Sequence, residues 1–368
     1  MSEARLILLC AGGTGGHLFP AEALAEELAR RGFAVELVTD ARALKYGARF
    51  PARAIHSVAA ATPTGGSFFA KARAAMSLLR GVVQSVRLLR RLRPACVVGF
   101  GGYPTVPPLV AAALLRTPCV LHEQNAVMGR ANRFLAGRVA RVATGFPALS
   151  GAGALSPEAR AFVGNPVRPA VLAAAQTPFP GFAEGRLRLL VTGGSQGARV
   201  MSDVTPAALE LLAPNLRQRI DLAQQARGED EQRVRAAYAR MGVAAEVAPF
   251  FPDLPARMAQ AHLIVARAGA STVSELAVVG RPSILVPFPF ALDQDQAANA
   301  AELARSGAAL VIPQTDFTPQ RLAHELEAVF ADPQGLTRRA AAAKSASVPD
   351  AAARLADLVE SAAAPARP

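Results

Sequence analysis

Residues 6–17 read LILLCAGGTGGH, and residues 187–197 read LRLLVTGGSQG. In each stretch, an apolar run of the kind that forms a buried strand passes directly into a glycine-rich turn. Glycine lets backbone N–H groups approach a ligand closely, and a helix that follows presents its positive end to negative charge. The repeated pattern predicts two related domains, each with a ligand-binding turn after its first strand.

Short apolar runs alternate with helical windows, such as 20–31 and 205–212, along the chain. This alternation is typical of α/β proteins in which helices cover both faces of a parallel sheet. We therefore expect two doubly wound, Rossmann-like domains. The predicted strands are 6–10, 35–39, 97–99, 120–122 and 141–144 in the first domain, and 187–192, 220–222, 245–249, 263–266, 283–286 and 309–312 in the second.

The stretch 145–185 contains six prolines and is typical of a crossing between domains. The expected organisation is a first domain at 1–164, a second at 165–348, and a C-terminal helix and tail at 349–368. The docking site of that helix stays open, with packing back onto the first domain as one option. Ligands of such sheets bind beyond the carboxyl ends of the strands, so two facing domains would form a cleft lined by both glycine turns.

Positive charge is concentrated in the first half of the chain. The net charge is +12, and residues 1–164 hold 20 Lys and Arg against 8 Asp and Glu, whereas the remaining residues hold 20 of each. A charge excess confined to one half indicates an anionic partner such as nucleic acid, a phosphorylated substrate or an acidic membrane surface.

The composition predicts a soluble cytoplasmic protein, although its mean hydropathy of +0.24 is high. No run reaches the roughly 18–20 apolar residues that a membrane span needs. The apolar run at 6–9 passes straight into glycines, so no signal peptide is expected. Cys10, Cys96 and Cys119 are widely spaced and fit neither a disulfide framework nor a zinc site.

The glycine turns match neither common nucleotide-binding motif. The fingerprint G-x-G-x-x-G, read from Gly13 and Gly15, requires a third glycine where Leu18 stands. Asp40 ends the second strand, where a ribose-binding acid lies in dinucleotide-binding folds, but the fingerprint is missing. A P-loop requires a lysine after its glycines, and no lysine follows either turn.

Polar clusters follow several further strands. The string HEQN at 122–125 is costly to bury, so we expect it to face a cleft. Ser271 or Thr272 is expected to cap the helix that follows strand 263–266. The pair of aspartates in DQDQ at 293–296 is surrounded by amides without nearby His or Cys, which favours sugar hydroxyls over a metal ion.

In their order along the chain, these clusters closely resemble one bacterial family, the UDP-N-acetylglucosamine:undecaprenyl-pyrophosphoryl-MurNAc-pentapeptide N-acetylglucosaminyltransferases of peptidoglycan synthesis. The resemblance extends nearly from end to end and implies a two-domain GT-B glycosyltransferase, in agreement with the duplicated architecture. The matching motifs are GGTGGH at 12–17, GGY at 101–103, HEQN at 122–125, ANR at 131–133, GNPVR at 164–168, GGSQGA at 193–198, RAGASTVSE at 267–275 and DQDQAANA at 293–300.

The resemblance implies that N-acetylglucosamine is moved with inversion from UDP-N-acetylglucosamine to the 4-hydroxyl of undecaprenyl-diphosphate-linked N-acetylmuramyl-pentapeptide. It implies no cofactor and no metal, and a peripheral position on the cytoplasmic face of the bacterial plasma membrane. The first domain would face the acceptor and the membrane, and the second would hold the donor.

The resemblance also implies a set of donor contacts. Many members carry a neutral or imidazole side chain where this chain has Asp295, so the hydrogen bonds to the sugar hydroxyls stay open. The implied contacts are Ser195 and Arg168 with the nucleotide and its phosphates, Ala270, Ser271 and Thr272 with the diphosphate, Glu275 with the ribose, Phe251 with the uracil, Gln296 with the N-acetylglucosamine, and Thr14, Gly15, Gly16 and Asn125 with the same sugar from the first domain.

A general base must accept the proton of the acceptor hydroxyl. His17 is the candidate, because a histidine titrates near physiological pH and this one closes the acceptor-side turn. The alternative is a histidine that only hydrogen-bonds the loop, and Glu123 is the runner-up base. The resemblance places Tyr103 and Asn132 on the acceptor side.

Residues 67–93, SFFAKARAAMSLLRGVVQSVRLLRRLR, hold seven Lys and Arg and no acidic residue. The pattern predicts a helix with a basic stripe beside the apolar Met76, Leu79 and Val83, which is typical of docking on an anionic membrane. A core helix with a solvated basic edge is the alternative. The predicted docking surface consists of Phe68, Phe69, Lys71, Arg73, Arg80 and Arg87.

Two other functions stay open. A nucleic-acid-binding protein would use the same basic half, but the chain has no Trp, three Tyr and no interleaving of aromatic and basic residues, so we expect no nucleic-acid partner. A UDP-sugar epimerase of similar fold would release UDP without a lipid acceptor. The HEQN and GGY clusters and the basic segment argue against the epimerase.

Overall fold

The structure, a computed structural model, consists of two compact units. The first comprises Met1–Arg168 together with Pro349–Pro368, and the second comprises Pro169–Val348. The structure describes residues 4–12, 14–40, 50–61, 68–153, 155–182, 185–195, 197–291 and 294–364.

Within the described residues, one parallel sheet of seven strands forms the centre of the first unit. Its strands are β1 (Leu6–Cys10), β2 (Ala34–Thr39), β3 (Ile55–Ser57), β4 (Cys96–Gly99), β5 (Cys119–Glu123), β6 (Arg141–Thr144) and β7 (Arg160–Phe162). They lie in the order β3-β2-β1-β4-β5-β6-β7. β1 is buried on both faces, with Ile7 and Leu9 in one core and Leu8 and Cys10 in the other, which explains its continuous apolar run.

Helices cover both faces of this sheet. One layer contributes Leu24 and Leu28 to the first core, and the opposite layer contributes Leu89 and Leu109 to the second. The helices are α1 (Gly15–Arg30), α2 (Phe68–Leu92), α3 (Val106–Leu114) and α4 (Arg130–Leu135), with short 3₁₀ segments at Tyr103–Thr105, Ala136–Arg138 and Pro157–Ala159.

The second unit repeats this plan with a parallel sheet of six strands among the described residues. Its strands are β8 (Leu187–Thr192), β9 (Ile220–Gln225), β10 (Ala245–Ala248), β11 (Leu263–Ala266), β12 (Ser283–Leu285) and β13 (Ala309–Val311). Their order is β10-β9-β8-β11-β12-β13. The helices are α5 (Pro169–Ala174), α6 (Arg199–Leu211), α7 (Pro214–Arg217), α8 (Gly228–Met241), α9 (Leu254–Gln260), α10 (Ala270–Val279), α11 (Asp295–Arg305), α12 (Pro319–Ala331) and α13 (Pro333–Ser345).

Each sheet reverses its strand order once, between β1 and β4 in the first unit and between β8 and β11 in the second. Doubly wound sheets bind ligands beyond the carboxyl ends of the strands at this switch point. The first glycine turn follows β1 and the second follows β8, so each turn lies at the switch point of its own unit.

The eleven predicted strands are confirmed, but two further strands, β3 and β7, were missed. Each has three residues, and each forms one edge of the first sheet, where pairing on one side leaves the strand half exposed. Their sequences IHS and RAF carry no sustained apolar run. The prediction also ended β9 at residue 222, whereas the strand continues through two buried glutamines to Gln225.

Two helices begin earlier than predicted. α1 begins at Gly15, because the carbonyl of Thr14 accepts the N–H groups of His17 and Leu18, each at 3.0 Å. α6 begins at Arg199 and runs through Pro206. Proline has no N–H group to offer the preceding turn, and Arg233 Nη1 instead lies 3.5 Å from the Ser202 carbonyl oxygen.

The C-terminal helix, α14 (Ala351–Ala363), packs against α1 in the first unit. Leu355 and Val359 are fully buried in the same core as the inner side of α1. At the rim, the Arg31 guanidinium contacts the carboxylates of Asp357 at 2.6 Å and Glu360 at 2.9 Å. Burial and ion pairing together hold this last helix on the first unit.

α2 packs closely against the segment before it and against α3. Gly81 lies on the buried side of α2, where a Cβ atom would collide with the carbonyl oxygen of Ala59 and lie 3.0 Å from Pro107.

None of the helices in the described part of the chain is long and apolar enough to cross a membrane.

Gly81→Ala is expected to lower the free energy of unfolding by about 1–3 kcal/mol, because overpacking forces the backbone to shift. Gly137→Ala in the same unit is the matched control, since a Cβ atom there meets nothing within 4 Å. Thermal denaturation followed by circular dichroism measures both variants. Equal midpoints for the two would contradict the close contact.

Candidate active site

The first glycine turn is joined across the switch point to the GGY segment after β4. The Gly12 N–H group donates to the Gly101 carbonyl at 3.2 Å, and the Thr105 hydroxyl donates to the carbonyls of Gly101 and Gly102. Gly101 and Gly102 have φ of 89° and 76°, a region that disfavours side chains. Gly13 lies outside the described residues, while Gly15 and Gly16 open α1.

His17 lies in the first turn of α1, with its ring against the backbone of the GGY segment. A Cβ atom on Gly101 would lie 3.4 Å from the ring, and one on Gly102 would lie 3.5 Å from it. Nδ1 lies 3.0 Å from the Thr14 hydroxyl. Burial lowers the pKa of His17 to about 4, so the ring is neutral at physiological pH and binds a proton more weakly than a free imidazole, which is expected to titrate near 6.5.

Glu123 is the polar centre of the loop that follows β5. One carboxylate oxygen accepts the backbone N–H of Asn125 at 3.0 Å, and the other accepts the N–H of Gly129 at 2.9 Å and the Asn132 amide at 2.8 Å. The side chain is almost completely buried, and burial raises its pKa while these hydrogen bonds oppose the rise. Asn132 also donates to the His122 carbonyl, so it belongs to this buried network.

The expectation that the whole HEQN string faces a cleft is wrong for its first three residues. His122, Glu123 and Gln124 are buried inside the first unit, and only Asn125 is partly exposed. The burial cost is offset because each side chain has hydrogen-bond partners, including a 3.0 Å contact between His122 Nε2 and the Gly164 carbonyl. The string is therefore mainly a support for the residues around it.

Arg168 is the last residue of the first unit, and its guanidinium lies 4.0 Å from the centre of the Phe19 ring on α1. Glu22, one turn along the same helix, interacts electrostatically with Arg168. These contacts place Arg168 beside the first glycine turn rather than in the second unit. Tyr103 is partly buried in the GGY segment.

The second glycine turn has tight backbone geometry. A Cβ atom on Gly193 would collide with the Ala198 N–H group, and Gly194 and Gly197 have φ of 76° and 65°. Ser195 is exposed at the tip of the turn, and Gln196 lies outside the described residues. The turn leads into α6, whose N-cap residue Ala198 supplies no side-chain hydrogen bond.

The segment after β11 also opens a helix with an uncapped amino end. The prediction that Ser271 or Thr272 caps it is wrong: Gly269 is the N-cap residue, and Ala270, Ser271 and Thr272 form the first turn of α10. The first N–H groups of a helix have no intrahelical acceptor, so they point outward here. The buried Ser271 hydroxyl oxygen has no hydrogen-bond partner within the described residues. Glu275 lies one turn further along and is buried.

Gln296 links two loops at the same edge of the sheet. Its Oε1 accepts the N–H groups of Ala268 at 3.3 Å and Phe288 at 3.0 Å, which leaves its amide nitrogen as the remaining donor. Asp295 begins α11, whereas Asp293 lies outside the described residues. No group of three potential metal-binding side chains occurs in the part of the chain that the structure describes.

Phe251, the predicted uracil neighbour, is buried after β10, and the Arg257 guanidinium covers its ring at 4.2 Å. The adjacent Phe250 is exposed instead.

Two polar residues at this edge were given no role from the sequence. Gln225 binds the glycine turn after β8, and Arg267 donates to the carbonyls of Val286 and Pro287 and, at 2.6 Å, to Gln314. Burial and the positive charge of the neighbouring Arg227 both lower the pKa of Arg267. The sequence did contain a signal for Gln225, because a polar residue at the end of an apolar strand is costly to bury unless it forms hydrogen bonds.

α2 carries the predicted docking surface on its outer side. Lys71, Arg73, Arg80 and Arg87 are exposed, as is Phe69, while the side chain of Phe68 lies outside the described part. Phe69 is 84% exposed, Met76 66% and Leu79 59%. The apolar residues beside the basic stripe thus face solvent rather than the core.

Comparisons with known proteins agree on one family. The model of the glycosyltransferase family 28 N-terminal domain matches residues 7–144, and that of the C-terminal domain matches residues 188–355. A protein of Methylorubrum extorquens is 60% identical over 361 residues, which cover 98% of both chains. That relative is named UDP-N-acetylglucosamine--N-acetylmuramyl-(pentapeptide) pyrophosphoryl-undecaprenol N-acetylglucosamine transferase.

Two solved structures are similar over nearly the whole chain. The crystal structure of Acinetobacter baumannii MurG has a TM-score of 0.79 and 29% identity, covering 97% of this chain and 99% of that one. A UDP-GlcNAc 2-epimerase from Neisseria meningitidis has a TM-score of 0.68 and 11% identity, covering 97% of this chain and 100% of that one. The epimerase likeness shows the fold alone.

The buried His122 predicts a pH dependence of stability. Burial lowers its pKa from 6.5 to about 4 in the folded protein, so between these values the unfolded chain binds a proton that the folded chain does not. The free energy of unfolding is therefore not reduced by His122 above about pH 6.5. As the pH falls toward 4, it decreases by about 3 kcal/mol in total.

Chemical denaturation at a series of pH values tests this expectation. His122→Gln should remove the His122 part of the decline in unfolding free energy between pH 6.5 and pH 4, while His17, whose pKa burial also lowers to about 4, keeps its own part. The exposed His324 on α12 provides the control, since His324→Gln should leave the decline as it is in the wild type. An unchanged decline in the His122 variant would show that another group causes it.

Proposed function

The chain belongs to the UDP-N-acetylglucosamine--N-acetylmuramyl-(pentapeptide) pyrophosphoryl-undecaprenol N-acetylglucosamine transferases of glycosyltransferase family 28, and we propose that it performs their reaction. N-Acetylglucosamine moves from UDP-N-acetylglucosamine to the 4-hydroxyl of undecaprenyl-diphosphate-linked N-acetylmuramyl-pentapeptide. The observation that carries the proposal is 60% identity over 98% of the chain.

The second unit is the donor domain in this proposal. The uncapped first turn of α10 directs toward the diphosphate its backbone N–H groups and the Ser271 hydroxyl, which has no hydrogen-bond partner among the described residues. Ser195 and the α6 amino end lie beside it across the switch point between β8 and β11. Glu275 holds the ribose and Phe251 flanks the uracil. Fixed donors of this kind stabilise the negative charge that develops on UDP as it leaves.

The sugar lies at the edge of the sheet near Gln296. Since Oε1 of Gln296 already accepts two backbone N–H groups, its Nε2 is the atom that donates to a sugar hydroxyl. From the first unit, Thr14, Gly15, Gly16 and Asn125 contact the same sugar, and Arg168 contacts the phosphates.

The acceptor oxygen bonds to the anomeric carbon while the bond from that carbon to the β-phosphate oxygen breaks. UDP leaves with the electron pair, and the hydroxyl proton goes to His17. In the tautomer that donates Nδ1–H to Thr14, the lone pair lies on Nε2, which is the proton acceptor. Glu123 is less suited to this role, because its buried oxygens bind the N–H groups of its own loop.

The first unit faces the acceptor and the membrane. On α2, three exposed arginines recur every seventh residue beside Phe69, Met76 and Val83, so basic and apolar groups share one outer surface. Basic side chains attract acidic headgroups while apolar ones enter the interface. We place the enzyme on the cytoplasmic face of the plasma membrane, where the acceptor is anchored.

The test is transfer of labelled N-acetylglucosamine from the UDP-sugar to a lipid-linked muramyl acceptor. The expected products are a disaccharide lipid and one UDP per transfer. Release of UDP without an acceptor, together with change at the sugar C2, would instead assign the epimerase reaction. Salt-sensitive binding to DNA but not to anionic vesicles would support the nucleic-acid alternative.

His17→Ala should lower kcat by about 10²–10⁴ while the donor KM changes little, because loss of a general base affects proton transfer rather than donor binding. Thr14→Ser is the matched control, since it keeps the hydroxyl that contacts Nδ1. Initial rates between pH 6 and pH 9 measure both variants. A loss below about fivefold in the His17 variant would assign the proton to Glu123 or to solvent.

Replacing Arg73, Arg80 and Arg87 by glutamate should abolish binding to vesicles of acidic phospholipid, because each arginine contributes up to about 1 kcal/mol near such a surface. Activity on a short-chain, water-soluble acceptor should persist. Binding of the wild type should also weaken with salt, since the Debye length shrinks from about 10 Å at 0.1 M to 3 Å at 1 M.

The matched control makes the same charge change on the second unit, at the exposed Arg240, Arg321 and Arg338. Vesicle flotation compares the two triple variants. If the α2 variant still floats, or if both variants fail equally, α2 is not the docking surface.

A further inference from the structure

β9 ends in two adjacent buried glutamines that point to opposite faces of the sheet. Gln224 faces α6 and α8, where its Nε2 donates to the Met201 carbonyl at 3.1 Å and its Oε1 accepts the Tyr238 hydroxyl. Gln225 makes none of these contacts and turns toward the loops of the switch point. The two glutamines have the same side chain and are both buried, but they form hydrogen bonds with different parts of the second unit.

Gln225 bridges two loops that have no regular structure of their own. Its Oε1 accepts the Thr192 hydroxyl at 2.9 Å and the Gly193 N–H at 3.1 Å, both at the start of the second glycine turn. Its Nε2 donates to the Pro249 carbonyl at 3.2 Å, in the segment that follows β10. The amide thus ties the turn after β8 to the segment that leads to Phe251.

The two tied loops have different tasks if the second unit binds a UDP-sugar as proposed above. The glycine turn faces the phosphates and the segment 249–251 flanks the base. We propose that Gln225 is a positioning residue that sets the separation of the phosphate and base subsites, so that one nucleotide spans both. The inference rests on the proposed donor site, but it concerns a residue whose amide binds the two loops and to which no nucleotide contact is assigned.

Only an amide of this length suits the bridge. The oxygen must accept two donors while the nitrogen on the same carbon donates to a carbonyl, and a carboxylate would face the Pro249 carbonyl without a proton to give. A shorter amide would not span from β9 to both neighbours. This requirement makes Gln225→Met the informative substitution, because methionine keeps the length and volume and loses every polar contact.

The experiment compares Gln225→Met with Gln224→Met, using three probes: UDP, uridine and inorganic pyrophosphate. Titration calorimetry or competition with donor turnover gives each affinity. For Gln225→Met we expect UDP binding to weaken about tenfold and donor KM to rise in parallel, whereas uridine and pyrophosphate stay within about twofold, because each fragment needs only one subsite. Acceptor KM should not change.

Gln224→Met is expected to lower the melting temperature, since it leaves the Tyr238 hydroxyl and the Met201 carbonyl without their partner, but to bind all three probes as the wild type does. A general loss of stability would affect both variants and all probes alike. If Gln225→Met weakens the fragments as much as UDP, or leaves UDP unchanged, the positioning role is overturned. If wild-type protein fails to bind UDP at all, it is the proposed donor site that fails instead.

Discussion

Side-chain oxygens that accept hydrogen bonds from loop N–H groups hold the carboxyl edges of both sheets in shape, and two of these side chains, Glu123 and Gln225, are buried. Glu123 binds the N–H groups of Asn125 and Gly129, Gln225 binds that of Gly193, and Gln296 binds those of Ala268 and Phe288. Loops beyond the last ladder pair have no strand partner, and a buried N–H without an acceptor is costly. These side chains supply the missing acceptors from inside the fold, so the outward surface of each loop stays open to a ligand. A nucleotide that spans the turn after β8 and the segment after β10 finds the two loops already held at a fixed separation by Gln225, so little ordering remains to be done at binding.

Much of this fold follows from sequence because its central strands are buried on both faces. β1, β4, β8 and β11 read as apolar runs, and the glycine turns behind β1 and β8 mark the switch points in the sequence itself. The edge strands β3 and β7 escaped prediction because one partner and three residues give no periodic signal. The N-cap of α10 was also predicted wrongly. Serine is preferred over glycine as an N-cap residue, but Ser271 lies in the first turn of the helix and Gly269 takes the N-cap position.

The roles of the polar residues were harder to predict than their positions. The HEQN string was expected to be costly to bury. The prediction that it faces a cleft assumed that a ligand or solvent supplies the hydrogen bonds that its polar side chains need. In the structure the cost of Glu123 is met by backbone N–H groups six or fewer residues away, which a one-dimensional pattern does not reveal. Gln225 was overlooked for the same reason, because its partners lie on or beyond two other strands that only the sheet order brings beside it.

The distribution of charge in the first unit follows from the same burial. His17 and His122 are neutral at physiological pH because burial lowers both pKa values to about 4, so neither contributes a cation to the switch point. Arg168 lies there, but it stacks on Phe19 and interacts with Glu22. The segment 67–93, by contrast, carries seven basic residues and no acid, and its arginines on α2 are exposed. Much of the positive excess of the first half therefore lies on the outer surface of α2 rather than at the switch point.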